Sequence, residues 1–284
     1  WESADRLFPN GKMGVQNACT GLGKWRILNA TTLKLAAAAC MLLDHIHQMF
    51  AYKGAPLWLT MAGRLAFPIF LFVSAESFYY THSKKRYLQR LLLVSWGMTF
   101  FTFFLQSVFP NENVVLMNNA FSTFFVAGLY MLFCDWFTEG VREKAPKKVI
   151  KAVLCCFIPV LCALPIYLVA VLSFNPDISA SVIRTLATFA LFVPNVLTVE
   201  GGISFVALGT AFYLCRKHRF IQILVLLVLS GLTYVVSGGI QWMMCFSAIP
   251  IMLYNGKKGW GMKKFFYLFY PAHIGFLYIL SAML

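Results

Sequence analysis

Residues 33–80 read LKLAAAACMLLDHIHQMFAYKGAPLWLTMAGRLAFPIFLFVSAESFYY. Two apolar runs, each long enough to cross a bilayer, are joined by a short turn at Tyr52–Pro56. Charged and titratable groups stand inside both: Asp44 and His45 in the first, Arg64 in the second. An ionised side chain at the centre of an inserted helix costs roughly 2.5–3.5 kcal/mol, so it is met there with a partner or a task. If the first run starts near Ala30–Thr32, His45 lies ~20 Å along it at helical rise. The second run returns from Pro56, which puts Arg64 ~12 Å from the far side. Across ~30 Å of hydrocarbon these levels coincide, and Asp44, His45 and Arg64 can meet. Pro68 leaves the carbonyl of Arg64 without its helical partner, and Gly63 permits close approach of a neighbouring helix. Two readings stay open. One is a structural Asp44–Arg64 ion pair with His45 as a bystander. The other is a proton-transfer centre, in which a carboxylate orients a histidine base beside a fixed cation.

The rest of the chain agrees with a membrane setting. It is 60% hydrophobic and 12% charged, against roughly 25% charged in soluble domains. The apolar runs are continuous rather than alternating, which excludes an outer-membrane barrel. The expectation is an all-α polytopic membrane protein of about nine helices, with eight to ten as the range. Residues 1–29 form an N-terminal cytoplasmic or interfacial tail and 30–284 the transmembrane domain. In the tail, Trp1, Phe8 and Trp25 suggest contact with the membrane interface, and Cys19 stands alone. No signal peptide is read before the first span.

Spans are expected at 31–52, 56–80, 88–109, 116–137, 148–172, 201–216, 219–237, 239–255 and 263–284. Pro159 and Pro165 should bend the fifth. Residues 178–199 are ambiguous: apolar, short, carrying Arg184 and broken by Pro194. If they do not cross, the basic loops THSKKRYLQR, TEGVREKAPKK, CRKHR and YNGKKGWGMKK share one face. The positive-inside bias then places that face, and the N-terminus, in the cytoplasm of a cell-membrane protein. Ten spans are the alternative.

The net charge of +14 concentrates in these loops. Topology alone explains such clusters, yet they also attract phosphorylated ligands. The remaining cysteines lie in or beside apolar runs without metal-ligand spacing, so no metal is expected. The basic segments are short and tied to loops, so no nucleic-acid partner is expected. In the last span, KKFFYLFYPAHIGFLYIL places His273 ~15 Å from the basic end, near the level of His45. His47, two residues from His45, faces ~200° away and points elsewhere. Glu76 pairs with Lys84, Lys85 or Arg90 at the basic edge, or joins Asn119 and Tyr270 in lining a substrate path. Glu200, before Gly201 and Gly202, is a weaker candidate for lining a cavity.

MLLDHIHQMF, AGRLAFPIFLF and FFYLFYPAHI, with weaker NNAFSTFFVAG and YNGKKG, together resemble the TraX family, integral membrane proteins named for acetylation of conjugative pilin. The likeness runs from Leu33 to the C-terminus. It implies transfer of an acetyl group from acetyl-CoA to an amine or hydroxyl of a peptide, glycan or small-amine acceptor. It also implies kinship with transmembrane acyltransferases such as heparan-glucosaminide N-acetyltransferase, in which an early intramembrane histidine is catalytic. On that resemblance His45 is the base, Asp44 fixes its ring, Arg64 stabilises the oxyanion, and His273 is a second acid/base group. Lys84, Lys85, Arg86, Arg90, Lys257 and Lys258 would attract the phosphates of coenzyme A. The competing classes are a proton-coupled transporter, which would use Asp44, His45 and Arg64 as a relay, and a non-enzymatic assembly factor for a surface peptide. The oligomeric state is not readable.

Overall fold

A computed structural model describes residues 26–284. Residues 1–25 of the expected tail, including Trp1, Phe8, Cys19 and Trp25, lie outside the described residues. The described chain is all-helical apart from a single bridge between Leu28 and Tyr254. It is a polytopic membrane protein. Among the described residues, six helical stretches are long and apolar enough to cross a membrane: Trp58–Tyr79, Lys84–Val108, Ala120–Arg142, Pro146–Leu172, Arg219–Ser237 and Lys264–Met283.

The first helix, α1 (Ala30–Phe50), is as long as these, about 31 Å by helical rise. It falls outside that group because Asp44, His45, His47 and Gln48 dilute its apolar character. Asn29 caps it by accepting from the Thr32 N–H at 2.9 Å. The second crossing is broken into α2 (Trp58–Gly63) and α3 (Ala66–Tyr79). Pro68 falls in the first turn of α3, where its missing N–H would have had no partner in any case. The break therefore falls at Arg64–Leu65.

Helices α4 (Lys84–Val108) and α5 (Ala120–Arg142) follow, capped by Ser83 and Asn119. The next crossing bends as expected: α6 (Pro146–Cys156), α7 (Ile158–Leu161) and α8 (Leu164–Leu172) are separated around Pro159 and Pro165. Helix α9 (Ala180–Leu191) is 12 residues long. Its length of about 18 Å does not span the hydrocarbon. Residues 192–201 then run without helix into α10 (Gly202–Leu214). Irregular backbone is tolerated at membrane depth only when the protein buries it and satisfies its polar groups. Asn195 does this, fully buried: it accepts from the N–H groups of Leu197 and Thr198 and donates to the carbonyl of Val193.

Helix α11 (Arg219–Ser237) ends at Gly238 in the left-handed conformation. The continuous span expected at 239–255 is not one helix. It consists of a 3-10 segment, Ile240–Ser247, and a single α-turn, α12 (Ala248–Met252). Pro250, lacking an N–H, sits inside that turn. Helix α13 (Lys263–Met283) closes the chain with Pro271 inside it.

Two buried clusters hold the helices together. One joins α1, α3, α5, α10 and α11 around Leu33, Phe72, Phe78, Leu208 and Phe212. The other joins α1, α4 and α13 around Met49, Met98, Ile274 and Tyr278. Large apolar side chains such as Phe100, Phe104, Leu168, Val235 and Phe276 point outward, as a lipid-facing surface requires.

Helix α1 is tied at both ends: to the loop leading into α13 at the basic end, and to α13 itself at the other. At the basic end, the Thr31 hydroxyl donates to the carbonyls of Lys258 and Trp260. At the other end, the Ser281 hydroxyl donates to the Met49 carbonyl and the Tyr52 hydroxyl to the Ser281 carbonyl.

Candidate functional site

His45 and His273 meet between α1 and α13. Nδ1 of His45 lies 2.7 Å from Nε2 of His273, with ring centroids 4.9 Å apart. Both are buried, at 3% and 8% exposure. The partners fix the tautomers of the neutral pair. Nδ1 of His273 is 2.6 Å from the Phe269 carbonyl, which can only accept, so this nitrogen carries the hydrogen. Nε2 of His273 is then bare, and Nδ1–H of His45 donates to it. Nε2 of His45 is left with its lone pair, facing Nδ2 of Asn118 at 3.3 Å. The ring of Phe269 stacks on His273 with centroids 4.5 Å apart and limits its rotation. With both rings neutral, the basic atom of His45 is Nε2, which faces the amide of Asn118.

Asp44 takes no part in this arrangement. Adjacent residues on a helix point about 100° apart, and Asp44 faces α2 instead. Its carboxylate is bound by Nη2 of Arg64 and by the Thr60 hydroxyl at 2.5 Å. Arg64 also donates from Nε to the Thr60 carbonyl at 3.2 Å and from Nη1 to Oε1 of Gln241 at 3.0 Å. The expectation that Asp44 fixes the imidazole of His45 is therefore corrected. His273 fixes it, and Asp44 neutralises Arg64. Gly63 makes the pair possible, because a β-carbon there would stand 2.3 Å from Cβ of Asp44. Gly63→Ala is expected to force α1 and α2 apart and to cost about 1–3 kcal/mol, the usual range for overpacking. A fall in the melting temperature of detergent-purified protein checks it.

Three breaks in regular structure converge near Arg64: the α2–α3 junction, the 3-10 segment carrying Gln241, and residues 192–201 carrying Glu200. Glu200 lies within electrostatic range of both Asp44 and Arg64. Its Oε2 accepts from the Tyr270 hydroxyl at 3.3 Å, and that hydroxyl accepts from the Ala120 N–H at 3.0 Å. Gly201 follows in the left-handed conformation that turns the chain into α10. The Tyr270 ring packs edge-on against His45 and His273. Tyr270 is therefore brought together with the two histidines.

Asn119 and Glu76 are not. The amide nitrogen of Asn119 donates into α4, to Ser95 and Thr99, and its Oδ1 caps α5 by accepting from the Ser122 N–H. Its neighbour Asn118 is the one that reaches His45. Glu76 stands near the basic end of α3, twelve positions beyond Arg64 and so about 18 Å along the rise. The charges acting on it there are those of Arg219 and Arg216, not Lys84, Lys85 or Arg90. Arg216 lies over the Tyr79 ring and Arg219 over Phe72. His47 stays apart from the dyad, as its helical position predicts, with its Nδ1 buried and lacking a hydrogen-bond partner.

The basic residues divide into two groups. Lys84 is occupied: it is ion-paired with Asp135, whose other oxygen accepts from the Tyr213 hydroxyl at 2.6 Å. Lys84, expected among the cations that draw in coenzyme A, thus has a carboxylate partner on α5. Lys85, Arg86, Arg90, Lys257 and Lys258 are exposed. Sequence reasoning passed over Gln48, Thr60 and Gln241 and undervalued Glu200. The available signal was their polarity within apolar runs.

The family model described as TraX protein matches residues 29–281, nearly the whole chain. The chain belongs to the TraX family. That match spans the TraX segments carrying Asp44, His45, Arg64, Tyr270 and His273. No curated protein and no solved structure matches this TraX chain.

Proposed function

We propose that residues 30–284 form a membrane acyltransferase that moves an acetyl group from acetyl-CoA to an amine or hydroxyl acceptor. The observation that carries this reading is the buried His45–His273 dyad, in which the lone pair of His45 Nε2 is met only by the amide of Asn118. In the reaction, Nε2 takes the proton of the acceptor as its nucleophilic atom bonds to the acyl carbon. The carbon–sulfur bond breaks, and His45 returns the proton to the sulfur of coenzyme A. His273 holds His45 in the required tautomer and shares the positive charge formed on the ring. Arg64 acts on the developing oxyanion through its field, softened by Asp44.

On the cation bias of the loops, the basic end faces the cytoplasm and receives the donor, and the acceptor comes from the opposite side. Purified protein given acetyl-CoA and candidate acceptors should release free thiol, and failure to do so with every acceptor overturns the reading. Lys85→Gln with Arg86→Gln should raise the donor KM several-fold at low salt, with a smaller effect at high salt, because exposed charges are screened. The three broken segments meeting at Arg64 also suit a proton-coupled transporter, since discontinuous helices line many transport sites. Solute uptake into vesicles driven by a pH gradient, without thiol release, would favour that reading.

A further inference from the structure

The basic end of the bundle gathers a second set of charges, apart from the dyad. Glu76 stands in the last turn of α3, with Arg216 and Arg219 acting on it from the connection between α10 and α11. Tyr80 lies within electrostatic range of Glu76 and Arg216, and Tyr254 within range of Glu76, Arg219 and Tyr80. These five side chains therefore surround one spot. Arg26 adds a further positive charge near Arg219.

The two guanidinium groups are held in place. Arg216 lies 3.0 Å over the centre of the Tyr79 ring. Arg219 lies 4.4 Å over Phe72 and 5.2 Å over Tyr254, and its Nη1 donates to Oε1 of Gln222 at 2.9 Å. Gln222 is fully buried, and its amide donates to the Phe212 carbonyl at 2.6 Å. A guanidinium already stacked in place loses little freedom when its N–H fork takes an anion.

Their hydrogen-bonding capacity is unspent. Among the described residues no ion pair joins Glu76 to either arginine, and no acceptor meets the guanidinium of Arg216. The Glu76 carboxylate and the hydroxyls of Tyr80 and Tyr254 make no hydrogen bond there either, and none of these atoms is sealed from the surface. Opposite charges held apart in this way are both satisfied by a ligand that itself carries both signs. It needs an anion for the arginines and a hydrogen-bearing cation for the carboxylate. A simple phosphate meets the arginines but sets its charge against Glu76. A quaternary ammonium brings the positive charge but has no hydrogen to donate.

The setting favours a lipid. Glu76 is near the end of the crossing Trp58–Tyr79, and tyrosine is the usual residue of the headgroup level. Leu214 and Phe220, which flank the two arginines in the chain, are 57% and 78% exposed. A bilayer lipid covers such apolar side chains with its acyl chains, whereas a soluble ligand leaves them bare.

We propose that Glu76, Arg216 and Arg219, with the hydroxyls of Tyr80 and Tyr254, bind the headgroup of a phosphatidylethanolamine in the leaflet at the basic end. The phosphate takes the fork of Arg216 and the remaining edge of Arg219. The ammonium donates to Glu76 and to the two hydroxyls. Glu76 is about 18 Å along the rise from Arg64, so the site stands whether or not the chain transfers acyl groups.

The test is native mass spectrometry of the purified full chain with phosphatidylethanolamine, phosphatidylcholine and phosphatidylglycerol of matched acyl chains. The wild type should bind one phosphatidylethanolamine at least tenfold more tightly than either of the others. Glu76→Gln should reverse the preference towards phosphatidylglycerol, because it removes the charge that repels an anion. Arg216→Gln should weaken all three lipids. Equal binding of the three by the wild type, an unchanged preference in Glu76→Gln, or no effect of Arg216→Gln would each overturn the proposal. A competition on the wild type needs no variant. Glycerophosphoethanolamine should displace the bound lipid where glycerophosphocholine and coenzyme A at the same concentration do not. Displacement by coenzyme A would assign the arginines to a nucleotide, and displacement by none of the three would leave the headgroup unrecognised; either result overturns the proposal.

Discussion

His45→Ala is expected to abolish thiol release from acetyl-CoA while the protein still inserts and purifies as a monodisperse species. Removing a positioned general base costs at least ~10²-fold in rate. The alanine leaves Nε2 of His273 and the amide of Asn118 without their shared partner, so some stability is lost as well. Per-molecule turnover measured beside the melting temperature separates the two effects. Normal turnover in the surviving protein would reduce His45 to a packing residue. His273→Phe keeps the base but removes the acceptor of its Nδ1 hydrogen, so the ring of His45 is free to turn and to change tautomer. Its loss of rate should be smaller than that of His45→Ala.

Arg64→Met is expected to damage the protein before it damages any reaction. The carboxylate of Asp44 would keep only the Thr60 hydroxyl among its present partners, with its charge uncompensated in the bundle. Removing one member of a fully buried ion pair costs about 3–5 kcal/mol because the remaining charge is stranded; this pair is part-buried, at 27% and 22% exposure, so a smaller loss is expected. The double variant Asp44→Leu with Arg64→Met removes both charges together and should recover most of the lost melting temperature. If the double variant folds yet releases no thiol, Arg64 acts in the reaction as well as in the bundle. If it folds and turns over at the wild-type rate, the pair is a brace alone.

Much of this was legible in the sequence because charge in an apolar run is costly enough to demand a partner. Asp44 and Arg64 could be matched in depth by helical rise alone, and so could His45 and His273. The direction each side chain faces was harder to read. Asp44 and His45 are neighbours in the chain but diverge around α1, so adjacency suggested a carboxylate–histidine pair that the helix separates. Asn118 and Asn119 look alike in sequence, yet Asn119 caps α5 and turns into α4 while its neighbour meets the base. The role of Lys84 depended on Asp135, 51 residues away, which no local pattern connects to it. Gln241 was hidden because the expected span at 239–255 gave no reason to anticipate a 3-10 segment there. Glu200 was undervalued because one carboxylate before two glycines is weak evidence until Tyr270 is seen beside it.

Helix α1 is tied to α13 directly through Ser281 at one end, and at the other Thr31 holds the loop that leads into α13. A pair of rods clamped at both ends cannot slide, so a thinner or thicker bilayer must tilt them as one body. Tilt is the ordinary response of spanning helices to mismatch. The two imidazoles between these ties therefore keep their register, and the hydrogen bond between them is expected to hold equally well in short-chain and long-chain membranes.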